Sequence, residues 1–389
     1  MIHGFYDEEH EEFRSVAREF NEREVAPHYA QWHAEHMMDR GIWNQAAEAG
    51  LLGLAVPEDH EGMGLADYRF RCVMDEEFVR SGHLALGLAF HLQDDWVLPH
   101  LLAYGTDEQK QRWLPAILGG EMVTSVAFTE PGAGSDLRGV RTKAVRDGDE
   151  YVLNGQKTFI GNGISGDAAL VLARTDGGTS PRGNRDSFSL FLVEKKDHEG
   201  YTTGKQLDKM GLQASDTAEL FFDDVRVPAA NLVGEEGKGL DQVTEQLPQG
   251  RLGVAVAAMA IAEGVLAETT EFVSSRNVFG ERVLDFQNTQ FELAELTAQL
   301  EASQAYVAHC VELFNRGQLD LIAASKVKLQ ATGTVKDLVD RCLQLHGGFG
   351  YILESSVAQA YTAVRLLTIF GGTDEILKAT VGHHIAAAN

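Results

Sequence analysis

The sequence predicts a mainly α-helical protein with a β domain at its centre. Three observations carry this. Apolar residues recur at helical spacing before about residue 120, strand-length apolar runs follow to about residue 228, and helical spacing returns in long segments from residue 238. The implied division is an amino-terminal helical domain (1–120), a small middle β domain, barrel or sandwich (121–232), and a carboxy-terminal four-helix bundle (233–389). A chain of 389 residues is long enough to bury more than one core.

In order, Phe13, Val16, Ala17 and Phe20 fall on one helical face. A second helix is expected from Gly41 to Leu52, ended by Gly53, and then a polar loop over Pro57–Gly64. Asp67–Arg80 and Leu84–Tyr104 read as long, largely buried helices, and Asp107 opens another with an acidic first turn. In the middle, Tyr151–Ile160 reads as strand, Asn154-Gly155 turn, strand. Ala168–Arg174 is a buried-strand run, Gly177–Arg185 a solvated loop, and Ser187–Val193 and Ala218–Pro228 further strands. Helices are expected at Leu240–Arg276, Asp285–Arg316, Asp320–Gly347 and Ser356–Ile369.

Composition narrows function. The net charge of −25 argues against nucleic acid, whose binding relies on phosphate neutralisation. It also requires local cations to overcome the global field if a ligand is anionic. No run of 18 or more apolar residues appears, so no membrane span is expected. The start is acidic and resembles neither a secretory signal nor a transit peptide. Cys72, Cys310 and Cys342 lie far apart, without metal spacing, and read as reduced thiols of a cytoplasmic protein.

The stretch Val126–Asp136 (VAFTEPGAGSD) joins the first helical region to the strands. Pro131, Gly132 and Gly134 break regular structure, which suits either an ordinary corner or a nest of backbone amides for an anion. This motif resembles the signature of the flavin-dependent acyl-CoA dehydrogenases, and the resemblance extends over nearly the whole chain in order. Lys157-Thr158-Phe159-Ile160-Gly161-Asn162, Lys209–Thr217, Arg276–Gly280 with Phe286-Gln287, Gln344–Gly350 and Gly371–Ile376 each resemble a family segment.

The resemblance implies the acyl-CoA dehydrogenase fold and bound FAD. It places Phe128, Thr129, Gly134, Ser135, Phe159, Ile160 and Gly161 at the flavin, with Phe159 against the isoalloxazine and Ser135 also near coenzyme A phosphate. Arg276, Phe279, Phe286, Gln287, Gln344, Gly347 and Gly348 would reach FAD across a subunit interface, and Thr373 and Glu375 would open the last cofactor-contacting helix. Arg251 would contact the coenzyme, and the Gly371 amide would polarise the thioester carbonyl. A homotetramer, or at least a dimer, is implied, with an acyl-CoA or acyl-carrier-protein substrate and an electron-transfer flavoprotein or oxygen as acceptor.

The chain departs from the family where the chemistry matters. The catalytic Glu of the family stands at one of two positions, which here are Gly250 and Gly371. The donor expected beside the flavin is Gly161. Three glycines thus replace side chains at the reaction face and would enlarge the pocket. A hydrogen cannot serve as a base. Asp95, in His91-Leu92-Gln93-Asp94-Asp95-Trp96, is the replacement candidate, with Asp94 and the more distant Glu245 behind it. The expected activity is acyl-thioester dehydrogenation with an atypical base. Flavin-dependent hydroxylation and a non-catalytic flavoprotein are the alternatives.

Overall fold

The computed structural model describes residues 1–80, 82–176, 187–196 and 198–388. The expected Gly177–Arg185 loop therefore lies outside the described residues. Helix α1 (Glu8–Phe20) runs through a π-helical turn (Asn21–Val25) into α2 (Ala26–Glu35), and α3 (Gly41–Glu48) follows. The helix expected to reach Leu52 stops four residues earlier. Then come α4 (Arg69–Arg80), α5 (Leu84–Leu92), a second π-helical turn (Gln93–Val97), α6 (Leu98–Tyr104) and α7 (Asp107–Leu118). Thr106 caps α7 by accepting from the Gln109 N–H, while Gln109 reaches back to the Thr106 N–H.

Eight strands form one sheet: β1 (Thr124–Ala127), β2 (Lys143–Asp147), β3 (Glu150–Gly161), β4 (Ala168–Thr175), β5 (Phe188–Glu194), β6 (Tyr201–Gln206), β7 (Thr217–Pro228) and β8 (Leu232–Val233). The order is β6-β7-β3-β2-β4-β5-β8, with β1 parallel to β4. Strands β4 and β5 are buried on both faces, which is why they read as continuous apolar runs. Leu170, Leu172, Leu190 and Leu192 face a core shared with α6 and α7, and Val171, Phe191 and Val193 face the sheet's own interior. The sheet curls enough for Tyr151 of β3 to meet Phe191 of β5, ring centroids 4.9 Å apart.

The expected Asn154-Gly155 turn is a bulge inside the single strand β3. A Cβ at Gly155 would lie 2.7 Å from the Thr142 Cα, so the glycine serves close strand approach.

The carboxy-terminal part holds α8 (Gly239–Ser275), the ribbon β9 (Asn277–Val278) and β10 (Glu281–Arg282), α9 (Gln287–Asn315), α10 (Leu321–His346), α11 (Ser356–Leu367) and α12 (Asp374–Ala387). Helix α8 is the common spine, packing on α4, α9, α10 and α11. It is also long and apolar enough, by length and composition, to cross a membrane, with mean hydropathy 1.6 in its most apolar window. Yet 72% of that window is buried inside the protein, as in a core helix. The three cysteines are buried and unpaired.

Candidate active site

The site is built where the glycine loop after β1, the far end of β3, the π-helical turn 93–97, α8 and the 370–373 turn converge. The loop is pinned from below. Glu130 accepts from the N–H groups of Arg141 (2.7 Å) and Thr142 (2.9 Å), and it pairs with Lys157 at 2.8 Å. The fully buried Lys157 ammonium also donates to the carbonyls of Phe128 (3.1 Å) and Leu172 (2.7 Å), using all three of its protons. Burial pulls its pKa down to about 8. Burial alone would raise Glu130, but Lys157 and the N–H donors outweigh it and hold the carboxyl below its usual range.

Phe128 is buried, whereas Gly134 and Ser135 are exposed at the loop tip. The Thr158 N–H donates to the Thr129 carbonyl (3.0 Å), joining loop to strand. Next to it, Phe159 is 70% exposed at φ +59°, where a β-register shift turns it outward beside buried Ile160. An aromatic side chain held out of the core in the left-handed region marks a strained position that the core does not explain.

Gly371 (φ +67°) and Gly372 (φ +105°) form the turn before α12, which Thr373 caps by accepting from the Ile376 N–H. Arg251 donates to the Gly371 carbonyl (3.3 Å) and to Ser325 Oγ (2.8 Å), and Lys328 donates to the Gly372 carbonyl (2.6 Å). Burial lowers Arg251 to about 10 and Lys328 to about 8. Neither has a carboxylate within ion-pair distance among the described residues. Arg251 is buried against the turn and holds it in place.

The three glycines do not enlarge the pocket. A Cβ at Gly250 would stand 2.9 Å from Trp96 Nε1 and closer still to two ring carbons, and one at Gly161 would stand 2.5 Å from Leu92 Cδ1. The π-helical turn and the end of α5 fill both spaces. At Gly371 a Cβ would make ordinary 3.7 Å contacts, to Trp96 among others.

Trp96 donates its indole N–H to His91 Nε2 (3.1 Å), and His91 Nδ1 meets Asp95 Oδ2 at 2.6 Å. An indole nitrogen is only a donor, so Nε2 carries the lone pair and Nδ1–H donates to Asp95. Asp95 Oδ1 accepts from Tyr68 (2.9 Å) and Gln249 (3.2 Å), and Arg71 lies 3.6 Å from Oδ2. Burial would raise the Asp95 pKa, but His91 and Arg71 override it and hold it at about 2. Asp95 therefore does not present a free carboxylate, which corrects its reading as the proton acceptor; the group it orients is His91.

Asp94 accepts from the Gly53 N–H (3.2 Å), leaves Oδ1 without a hydrogen-bond partner among the described residues, and is raised by burial to about 7. Glu245 is exposed and bonded to Tyr104 (2.6 Å), away from this cluster. Two small cavities flank the His91–Asp95 pair. One, about 40 Å³, is lined by His91, Gly253, Val254 and Leu367, and the other, about 100 Å³, by Asp94, Asp95, Gln249 and Leu98.

A second group of sequence-predicted residues gathers at the α8–α10 end. The Arg276 guanidinium lies 5.6 Å from the Phe349 ring centroid, and Phe272 stacks on His346 at 4.3 Å, so the 276 and 344–349 segments are neighbours. Phe279 is 99% exposed and Gln287, Gln344, Gly347, Gly348 and Glu375 are exposed, with Phe286 half-buried. Among the described residues, apart from the chain neighbours, no heavy atom lies within 4 Å of a Cβ built at Gly347 or Gly348.

Three family models match in order: the acyl-CoA dehydrogenase N-terminal domain over residues 7–121, the middle domain over 125–225 and the C-terminal domain over 237–386. The chain belongs to the acyl-CoA dehydrogenase family. It is 40% identical over 384 residues to the mitochondrial long-chain specific acyl-CoA dehydrogenase of Sus scrofa, covering 99% of this chain and 88% of that one. It is 33% identical to a caffeyl-CoA reductase–Etf complex subunit of Acetobacterium woodii, covering 97% and 98%. The crystal structure of an acyl-CoA dehydrogenase from Geobacillus kaustophilus superimposes with TM-score 0.93 at 41% identity, covering 98% and 99%.

Acyl-CoA dehydrogenases are FAD-dependent oxidoreductases acting on CH–CH donors. The residues here fit a flavin: an outward aromatic at Phe159, an open glycine loop held by Glu130 and Lys157, and a glycine turn braced by two buried cations. Sequence reasoning missed His91, Trp96, Lys157, Glu130 and Lys328 as parts of this acyl-CoA dehydrogenase site. Lys157 could have been flagged, because a charged residue in a buried strand needs a partner. Trp96 could not, because its contact with Gly250 spans 154 positions.

Proposed function

We propose that this chain oxidises the C2–C3 bond of an acyl thioester and that the C2 proton leaves toward the cluster on the 93–97 turn, not toward position 250 or 371. The observation that carries this reading is the hydrogen-bonded His91–Asp95 pair, directly behind the indole that occupies the space beside Gly250. FAD supplies the hydride acceptor for C3. Phe128, Thr129, Gly134, Ser135, Phe159, Ile160 and Gly161 would hold its ring side, with Ser135 also toward coenzyme A. Arg276, Phe279, Phe286, Gln287, Gln344, Gly347 and Gly348 of a second copy would hold its remainder, with Thr373 and Glu375 at the last helix.

The Gly371 N–H, which has no hydrogen-bond acceptor among the described residues, polarises the thioester carbonyl, and Arg251 and Lys328 keep that turn in place. Exposed Phe279, Phe349 and Tyr351 favour assembly as a homotetramer, or at least a dimer. We assign the acceptor role to an electron-transfer flavoprotein, the setting to the cytoplasm, and the domain limits to 1–120, 121–232 and 233–389. The test is anaerobic loss of oxidised-flavin absorbance against straight, branched and alicyclic acyl-CoAs. Bleaching by any of them supports the reading, and a flavin that stays oxidised with all of them refutes it.

A further inference from the structure

We propose that His91 Nε2 is the atom that takes the C2 proton, that Asp95 positions it, and that the Trp96 indole covers it until a thioester binds. This rests on the acyl-thioester reading above. The hydrogen bonds leave His91 one way to be protonated. Nδ1–H is committed to Asp95, and among the described residues the Nε2 lone pair is met by the Trp96 N–H. A base oriented from behind by a carboxylate is a general arrangement for proton transfer.

The face of α8 is shaped for these two rings. Gly250 and Gly253 lie one turn apart, and a Cβ at Gly253 would stand 2.6 Å from His91 Nδ1 and 2.8 Å from the Tyr68 hydroxyl. A glycine inside a helix is disfavoured relative to alanine, so their presence favours the close approach of the rings over helix stability. The π-helical turn makes the approach possible. It begins two residues after His91 and carries Asp95 and Trp96, four and five residues on, and its wider spacing suits the i, i+5 contact of Trp96 with His91.

One motion of the indole does two things. It vacates the space beside Gly250 and Gly371, and it removes the donor from His91 Nε2. The C2–H bond then breaks, its proton goes to Nε2, and the electron pair stays on the substrate as an enolate whose oxygen meets the Gly371 N–H. The imidazolium is left against the Asp95 carboxylate, which also accepts from Tyr68 and Gln249.

The test is deuterium exchange at C2 of octanoyl-CoA and cyclohexanecarbonyl-CoA in D2O, under anaerobic conditions with the FAD-loaded enzyme, read by mass spectrometry. His91→Gln is expected to slow exchange by about 100-fold or more, the size of general-base contributions, at unchanged FAD content and thioester affinity. Asp95→Asn is expected to slow it at unchanged affinity, with Asp95→Glu recovering part of the rate. Imidazole is expected to restore exchange to His91→Ala. Trp96→Phe, which keeps a ring and loses the N–H, is expected to exchange faster than wild type.

If His91→Gln exchanges and bleaches like wild type, the assignment of His91 falls while the acyl-thioester reading stands. If wild type neither exchanges nor bleaches, both fall. Should the His91 variants lose FAD, Trp96→Phe decides: exchange more than tenfold slower than wild type overturns the covering role.

Discussion

Gly250→Ala is the smallest perturbation that tests how the reaction face is filled. The added methyl would sit 2.9 Å from Trp96 Nε1 and nearer to two ring carbons, against about 3.5–4.0 Å for ordinary carbon contacts. The indole must therefore move by about 1 Å. It is 5% exposed and packed against Phe370, centroids 6.0 Å apart, so without a bound thioester to hold it elsewhere the shift disturbs this packing. Three effects compete. Helix propensity favours alanine by about 1 kcal/mol. Overpacking costs about 1–3 kcal/mol. Loss of the Trp96–His91 hydrogen bond costs about 0.5–1.5 kcal/mol. The clash wins, and the variant should be less stable by about 2 kcal/mol.

Gly333→Ala in α10 is the control, because among the described residues its methyl meets nothing within 4 Å beyond its own helix and should be stabilising by about 1 kcal/mol. Thermal unfolding of the FAD-loaded proteins, followed by tryptophan and flavin fluorescence, separates the two. If Gly250→Ala melts as high as Gly333→Ala, the indole does not occupy this space and the account of the reaction face is wrong. By the same reasoning Gly250→Glu alone does not install a working base, whereas Gly250→Glu with Trp96→Ala leaves room for one.

Other outcomes follow from the same structure. Asp94 has a folded pKa of about 7, above its unfolded value, so its stabilising contribution is present below the unfolded pKa and lost as pH rises through about 7. Asp94→Asn should therefore melt higher than wild type at pH 8 and lose that advantage near pH 4, as melting curves across pH would show. Lys157→Met leaves Glu130 buried without its cation, and a loss of about 3–5 kcal/mol with FAD release is expected; Lys157→Met with Glu130→Gln should recover part of the stability. Phe159→Gly relieves a left-handed backbone by about 1–2 kcal/mol, so the apoprotein should be no less stable while FAD dissociates more readily, measured by flavin titration.

The order of helices, strands and helices was legible because it rests on local periodicity, and the buried runs of β4 and β5 announce themselves in any register. The glycine loop and the Thr373 cap were legible for the same reason: a broken backbone or a capping hydroxyl acts within a few residues. Asn154-Gly155 misled because the same dipeptide suits a tight turn and a bulge, and only Thr142 on the neighbouring strand decides between them. The sequence also showed that positions 250 and 371 carry no carboxylate. What stands there instead was a tertiary matter. Trp96 fills the space beside Gly250, His91 fits against Gly253, and Asp95 is saturated by Tyr68, Gln249 and His91 through contacts that join the residue before α4, the end of α5, the 93–97 turn and α8. A glycine in a sequence reads as an empty position, but close packing fills such a space with whatever side chain the neighbouring helix brings, and only the packed helices determine which one.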